Sequence, residues 1–107
     1  MLEQTIKIKQ RYDELTELVI KPEIIADNKA WQKLVKERSS IEEIAQAHDA
    51  LEKLIKNLSD SENALKTETD ELMKQMFEED IAETKKQIEK LNADIQIMLL
   101  PKDENDD

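Results

Sequence analysis

Apolar side chains recur along this chain at helical spacing, in three blocks. In the first, Leu2, Ile8, Tyr12, Leu15 and Val19 lie mostly three or four residues apart with charged residues between them, the signature of an amphipathic helix. Lys21 and Pro22 end it, because a proline pushes the residue before it out of helical geometry and has no N–H to continue the ladder. The first helix is therefore expected from Leu2 to Val19 or Ile20. A short connector with Pro22 and Glu23 follows. Asp27 then offers a carboxylate to an unpaired amide at a new helix start near Asn28.

The second block has the cleanest seam: Leu34, Ile41, Ile44, His48, Leu51, Ile55 and Leu58 follow one another in steps of seven, three, four, three, four and three. Such spacing makes a coiled-coil-like edge. Asp49 with Lys53 and Glu52 with Lys56 add i,i+4 pairs on the exposed side. Ser59, Asp60 and Ser61 interrupt the seam, and Thr67 to Asp70 offer cap chemistry. The stretch between residues 59 and 70 thus reads either as a fraying extension or as a bend. From about Asp70 the third block carries Met73, Phe77, Ile81, Thr84, Ile88, Leu91, Ile95 and Met98. Long helices with a short connection run antiparallel. The expected fold is all-α: an extended antiparallel hairpin, coiled-coil-like, of about three helices, with helix one packed along or across it. Residues 1–100 form this helical domain, and residues 101–107, Pro101 and the acidic run Lys102 to Asp107, read as a linker toward downstream domains.

Composition sharpens this picture. Of 107 residues, 39% are charged and none is glycine, which suits exposed helices and disfavours a sheet. Tyr12, Trp31 and Phe77 are the only aromatics, so slender helices fit better than a thick globule. The lack of cysteine removes disulfides and thiolate metal sites and is compatible with a reducing cytoplasm. The longest apolar run, Ile97 to Leu100, falls far short of the ~20 residues of a membrane helix. A soluble, cytoplasmic protein is expected.

The net charge of −10 is concentrated late in the chain: residues 60 to 107 carry six basic and fifteen acidic side chains, whereas residues 1 to 21 carry four of each. Phosphate backbones repel such a surface, so direct nucleic-acid binding is not expected.

No residue is assigned to catalysis, to a cofactor or to a metal. His48, the single histidine, falls on the apolar seam without a second histidine or a cysteine to join it, and a partly buried structural role is the expectation. Glu42 with Glu43, and Glu78, Glu79 with Asp80, are adjacent in sequence and splay around a helix, whereas acid–base chemistry needs carboxyls aimed at one cavity. A chain without glycine cannot build the nucleotide-cradling loops that need close backbone approach. Ser39 and Ser40 have no base nearby in sequence and no strand-to-helix turn. Met73, Met76, Phe77 and Met98 read as core filling at a helix crossing, with an adaptable partner groove as the rival reading. Trp31 either anchors helix one or faces a partner, with internal packing the expectation.

Several segments resemble a known family. Arg11, Tyr12, Asp13, Glu14 and Leu15, then Pro22 and Glu23 ahead of Ile24 and Ile25, resemble the RYEEL and DPEV signatures that open bacterial peptide chain release factors. Lys36 to Ile41, reading KERSSI, is similar to the family's second-helix pattern. Leu99, Leu100, Pro101, Lys102 and Asp103, then Asn105 and Asp106, resemble the LLPKDPND junction after the family's first domain, and point to the release factor one branch, which reads UAA and UAG. Val19, Ile20 and Lys21 depart from the usual small, acidic lead into the proline, and Glu104 stands where a second proline is common.

The resemblance implies the N-terminal helical domain of a stop-codon reader that triggers hydrolysis of peptidyl-tRNA on the ribosome. It also implies that the fragment itself does neither: the codon-reading tripeptide and the Gly-Gly-Gln loop belong to later domains. The implied partners are the ribosome near its stalk base, other termination factors, and the methyltransferase that modifies the glutamine. Self-association of the fragment stays open. A free-standing antiparallel coiled-coil scaffold of chaperone type is the alternative. The tRNA-binding arm of a synthetase is disfavoured by the acidic balance, and an enzyme is the least favoured class.

Overall fold

The computed structural model describes residues 1–101. The expected linker at Lys102 to Asp107 lies outside the described residues. The described part is all-α, with helices α1 (Ile6–Leu18), α2 (Pro22–Ala26), α3 (Asn28–Thr67) and α4 (Glu71–Met98). The chain divides into two units, Met1–His48 and Asp49–Asp107. α3 gives its first part to one and its second part to the other.

In the N-terminal unit, α1 begins at Ile6 and not at Leu2. Residues 3 to 5 form a turn instead, closed by the Ile6 N–H on the Leu2 carbonyl at 2.9 Å. No side chain caps this start, because the Thr5 hydroxyl is engaged with the Leu2 carbonyl and with His48. The helix ends at Leu18, as proline four residues on dictates. The connector is itself a short helix, making four helices where three were expected. Pro22 stands at its first turn, where a missing N–H costs nothing. Five residues are too few to show helical periodicity, which is why the pattern hid it.

Asp27 closes α2 and opens α3: its carboxylate accepts from the Ala30 N–H at 3.2 Å and its carbonyl from the Trp31 N–H at 2.9 Å. α1 lies antiparallel to the first part of α3, with cross-helix contacts pairing residues 5 with 48, 11 with 37, 16 with 38 and 19 with 31. Thr5, Leu15, Ala45, Ala47 and His48 are buried here.

In the C-terminal unit, α3 runs unbroken to Thr67. The Ser59–Asp60–Ser61 stretch does not break the helix. Asp60 pairs with Lys56 on the same helix at 3.8 Å, and the Ser61 hydroxyl donates to Asp80 of α4 at 2.5 Å instead of competing for the α3 backbone. Glu68 to Asp70 reverse the chain. Glu68 Oε1 accepts from the amides of Thr69 and Asp70, and Asp70 Oδ1 from the Leu72 amide at 2.9 Å. Here α3 and α4 form the antiparallel hairpin, with Leu51, Thr84, Ile88 and Ile95 buried. Ile55, Leu58, Phe77, Ile81 and Leu91 are half-buried along the same seams.

Candidate interaction surfaces

Two surfaces stand out, one in each unit. In the N-terminal unit, Arg11 of α1 meets Glu37 of α3 as a two-pronged fork, with Nε and Nη2 donating to the two carboxylate oxygens at 2.6 and 2.9 Å. Its remaining Nη1 donates to Glu14 at 2.5 Å. Planar guanidinium and carboxylate match in this geometry, so the fork fixes register as well as charge. The hydrogen bond from Arg11, reinforced by its charge and that of Lys33, holds the Glu37 carboxyl below its ordinary 4.5. The same hydrogen bond holds the Arg11 guanidinium more firmly protonated.

One residue along each helix, the Arg38 guanidinium stacks over the Tyr12 ring at 4.5 Å, and Lys9 stands 5.8 Å from the ring centroid. Arg38 Nε also donates to the Thr16 hydroxyl at 2.9 Å, which in turn donates a hydrogen bond to the Tyr12 carbonyl at 2.9 Å. The result is a polar seam that ties α1 to α3.

His48 is buried, with 2% exposure, and its Nδ1 lies 2.8 Å from the Thr5 hydroxyl. That is the structural role its place on the seam suggests. Trp31 is half-buried, and its indole N–H donates to the Val19 carbonyl at 3.1 Å. It therefore anchors the end of helix one by satisfying a terminal carbonyl. Ser40 donates to the Glu37 carbonyl within its own helix at 2.6 Å, and Ser39 is exposed. Among the described residues no group of three or more histidine, aspartate or glutamate side chains is placed to hold a metal, and no helix is long and apolar enough to cross a membrane.

In the C-terminal unit, Ser61 of α3 with Met73, Met76, Phe77, Glu79 and Asp80 of α4 line an open depression of about 490 Å³. The expected four-residue core cluster does not form. Met98 sits at the far end of α4, about 35 Å along the axis, while Met73 and Met76 are exposed beside the hairpin turn. A spacing of three or four residues identifies a shared helix face but not whether a partner helix covers that turn.

Sequence reading missed Thr5, Thr16, Glu37 and Arg38 as contact residues. Arg11 and Glu37 carry opposite charge on helices that a short connector makes antiparallel, so a register argument could have paired them.

Comparison with known proteins adds the following. The PCRF domain model matches residues 8–107. The chain is similar to peptide chain release factor 1 of Alkaliphilus oremlandii, with 40% identity over 108 residues covering all of this chain and 30% of that protein. It is 35% identical over 107 residues to peptide chain release factor 1 of Carboxydothermus hydrogenoformans and 36% identical over 107 residues to that of Clostridium botulinum, again across all of this chain and 30% of each relative. The chain thus spans about a third of the length of the curated relatives it matches. No solved structure matches it.

Proposed function

The chain belongs to the PCRF domain family, and from that premise we propose that it is the helical module through which a peptide chain release factor, acting at UAA and UAG, engages the ribosome and its termination partners. The observation that carries this reading is that the match extends through both units, with relatives named peptide chain release factor 1 aligned over the entire chain. Residues 1–100 serve as the docking module and residues 101–107 as the linker to the segments that read the codon and hydrolyse peptidyl-tRNA. The hydrolytic step lies outside this chain, since a sequence without glycine holds no Gly-Gly-Gln loop. The seat of action is the cytoplasm, near the stalk base of the ribosome, with other termination factors and the glutamine methyltransferase as further partners.

A polar-tied helical unit followed by an acidic hairpin suits a docking role, because helix faces lined with charged and apolar side chains are surfaces that partners can read. The test is peptide release from ribosomes programmed with UAA, UAG or UGA. The protein used is the product of the open frame that continues past the codon for Asp107. Release at UAA and UAG, weakened when residues 1–100 are deleted and restored at high factor concentration, is the expected result. A frame that stops directly after Asp107, or release undiminished by the deletion, would overturn it.

A further inference from the structure

The first turns of α4 leave a contiguous apolar surface uncovered. Leu72 is 67% exposed, Met76 55% and Met73 36%, and half-buried Phe77 lies beside them. Isolated exposed apolar residues need no explanation. Here, however, Leu72 with Met76 and Met73 with Phe77 are both i,i+4 neighbours, so the four make one patch two turns long. Met76, Met73 and Phe77 also line the depression beside Ser61. The rim is acidic: Glu79 and Asp80 line the same depression, and Lys74, in the first turn of α4, is paired with Glu71 at 3.7 Å. Among the described residues no cation pairs with Glu79 or Asp80. Residues 60 to 80 as a whole hold eight acidic and two basic side chains.

We propose that this surface is a docking site for a basic amphipathic helix of a protein partner. Two or three of its apolar side chains would enter the Met73–Met76–Phe77 depression, and its lysines or arginines would lie along Glu79 and Asp80. Methionine supplies the adaptable, polarizable half of such a groove, and a helix laid into it reads apolar anchors at i, i+3, i+4 and i+7. Charge decides between occupants. Nucleic acid and anionic lipid surfaces are repelled by this rim, and a second copy would set two acidic rims face to face. A cationic segment is attracted, and the rim speeds its encounter. The inference stands on the geometry of the C-terminal unit and goes beyond the termination reading.

The experiment uses the full chain labelled with ¹³C at its methionine methyls. The probe is a synthetic amidated helix of roughly 18 leucines and lysines in amphipathic order, long enough to fold as a helix. Met1 and Met98 serve as internal controls, since they lie outside the depression. The expected result is that the Met73 and Met76 methyl signals shift and saturate while those of Met1 and Met98 stay. Met76→Glu and Glu79→Lys should each weaken binding about tenfold, and raising salt from about 50 to about 200 mM should weaken it further. Both positions are exposed, so the variants keep the helical circular dichroism of the parent. The proposal is overturned if all four methyls shift alike, if a leucine–glutamate helix binds equally well, or if the Met73 and Met76 signals move with the concentration of the chain alone, which would make the surface a contact between copies.

Discussion

The N-terminal and C-terminal units are both made of amphipathic helices, yet they are fastened differently. In the N-terminal unit directional contacts cross from helix one and its ends to α3, among them Thr5 to His48, Arg11 to Glu37, Thr16 to Arg38, and Val19 to Trp31. In the C-terminal unit Ser61 donates to Asp80 across the hairpin, and the buried seam is mainly apolar, with Leu51, Ile88 and Ile95 beside Thr84. Charge follows the same division. Residues 1 to 48 carry eight basic and nine acidic side chains, and residues 49 to 107 carry eight and seventeen. A short helix such as α1, with 13 residues, is marginal alone, so polar ties that fix its register compensate for the small apolar area it can offer. A long hairpin has a longer apolar seam to bury and so depends less on any one such tie.

The comparison can be broken most sharply in the two cores. Leu15 and Leu51 are each 0% exposed, and Leu15→Ala and Leu51→Ala should each cost about 2–5 kcal/mol in urea unfolding. If Leu15→Ala proves nearly silent, the polar seam and not burial holds the N-terminal unit. Next comes Thr5→Val, which keeps shape but removes the partner of buried His48 Nδ1. A loss of about 1–3 kcal/mol is expected, read by the fluorescence of Trp31, the single tryptophan. Asp70→Ala removes the cap of α4, and about 0.5–2 kcal/mol should be lost by circular dichroism, with Asp70→Asn largely retaining it.

The smallest effect is one of pH. Glu37 has its folded pKa depressed below 4.5 by the Arg11 hydrogen bond. Its contribution is therefore present above the unfolded value and is lost as pH falls through the folded one. Glu37→Gln should lower the thermal midpoint modestly at neutral pH and converge with the parent in acid. An unchanged gap down to about pH 3 would mean the fork contributes through shape and not charge.

Much of this was legible from the chain itself, for a physical reason. Pro22, Asp27 and Asp70 mark helix boundaries by local chemistry, so α1 ends, and α3 and α4 begin, where those residues indicate. The seam from Leu34 to Leu58 is half-buried or buried throughout, because a period-3.5 stripe has one way to hide. What escaped depends on neighbours distant in sequence. Ser59 to Ser61 look like a break until Asp80 is placed opposite Ser61. Ala45 and Ala47 are buried, at 1% and 6% exposure, yet alanine scarcely registers in an apolar pattern. Met73 shares the spacing of Ile88 and Ile95 yet is exposed beside the hairpin turn, and Met76 lies off that seam. For the interaction surfaces, the charge distribution could be read directly, whereas the Arg11 fork required knowing the register of α1 on α3.

No described residue has a positive backbone φ, and the chain has no glycine to provide one. Each reversal is made by oxygen acceptors, such as Glu68, Asp70 and Asp27, on ordinary backbone. A turn that depends on a left-handed glycine is a fixed point under mutation, since every other residue strains it. These turns lack such points, so a substitution in a connector costs a cap and not a fold. A chain built this way can drift far in sequence while keeping its helices in place, and its tolerance of change is set at the capping oxygens and not along the backbone.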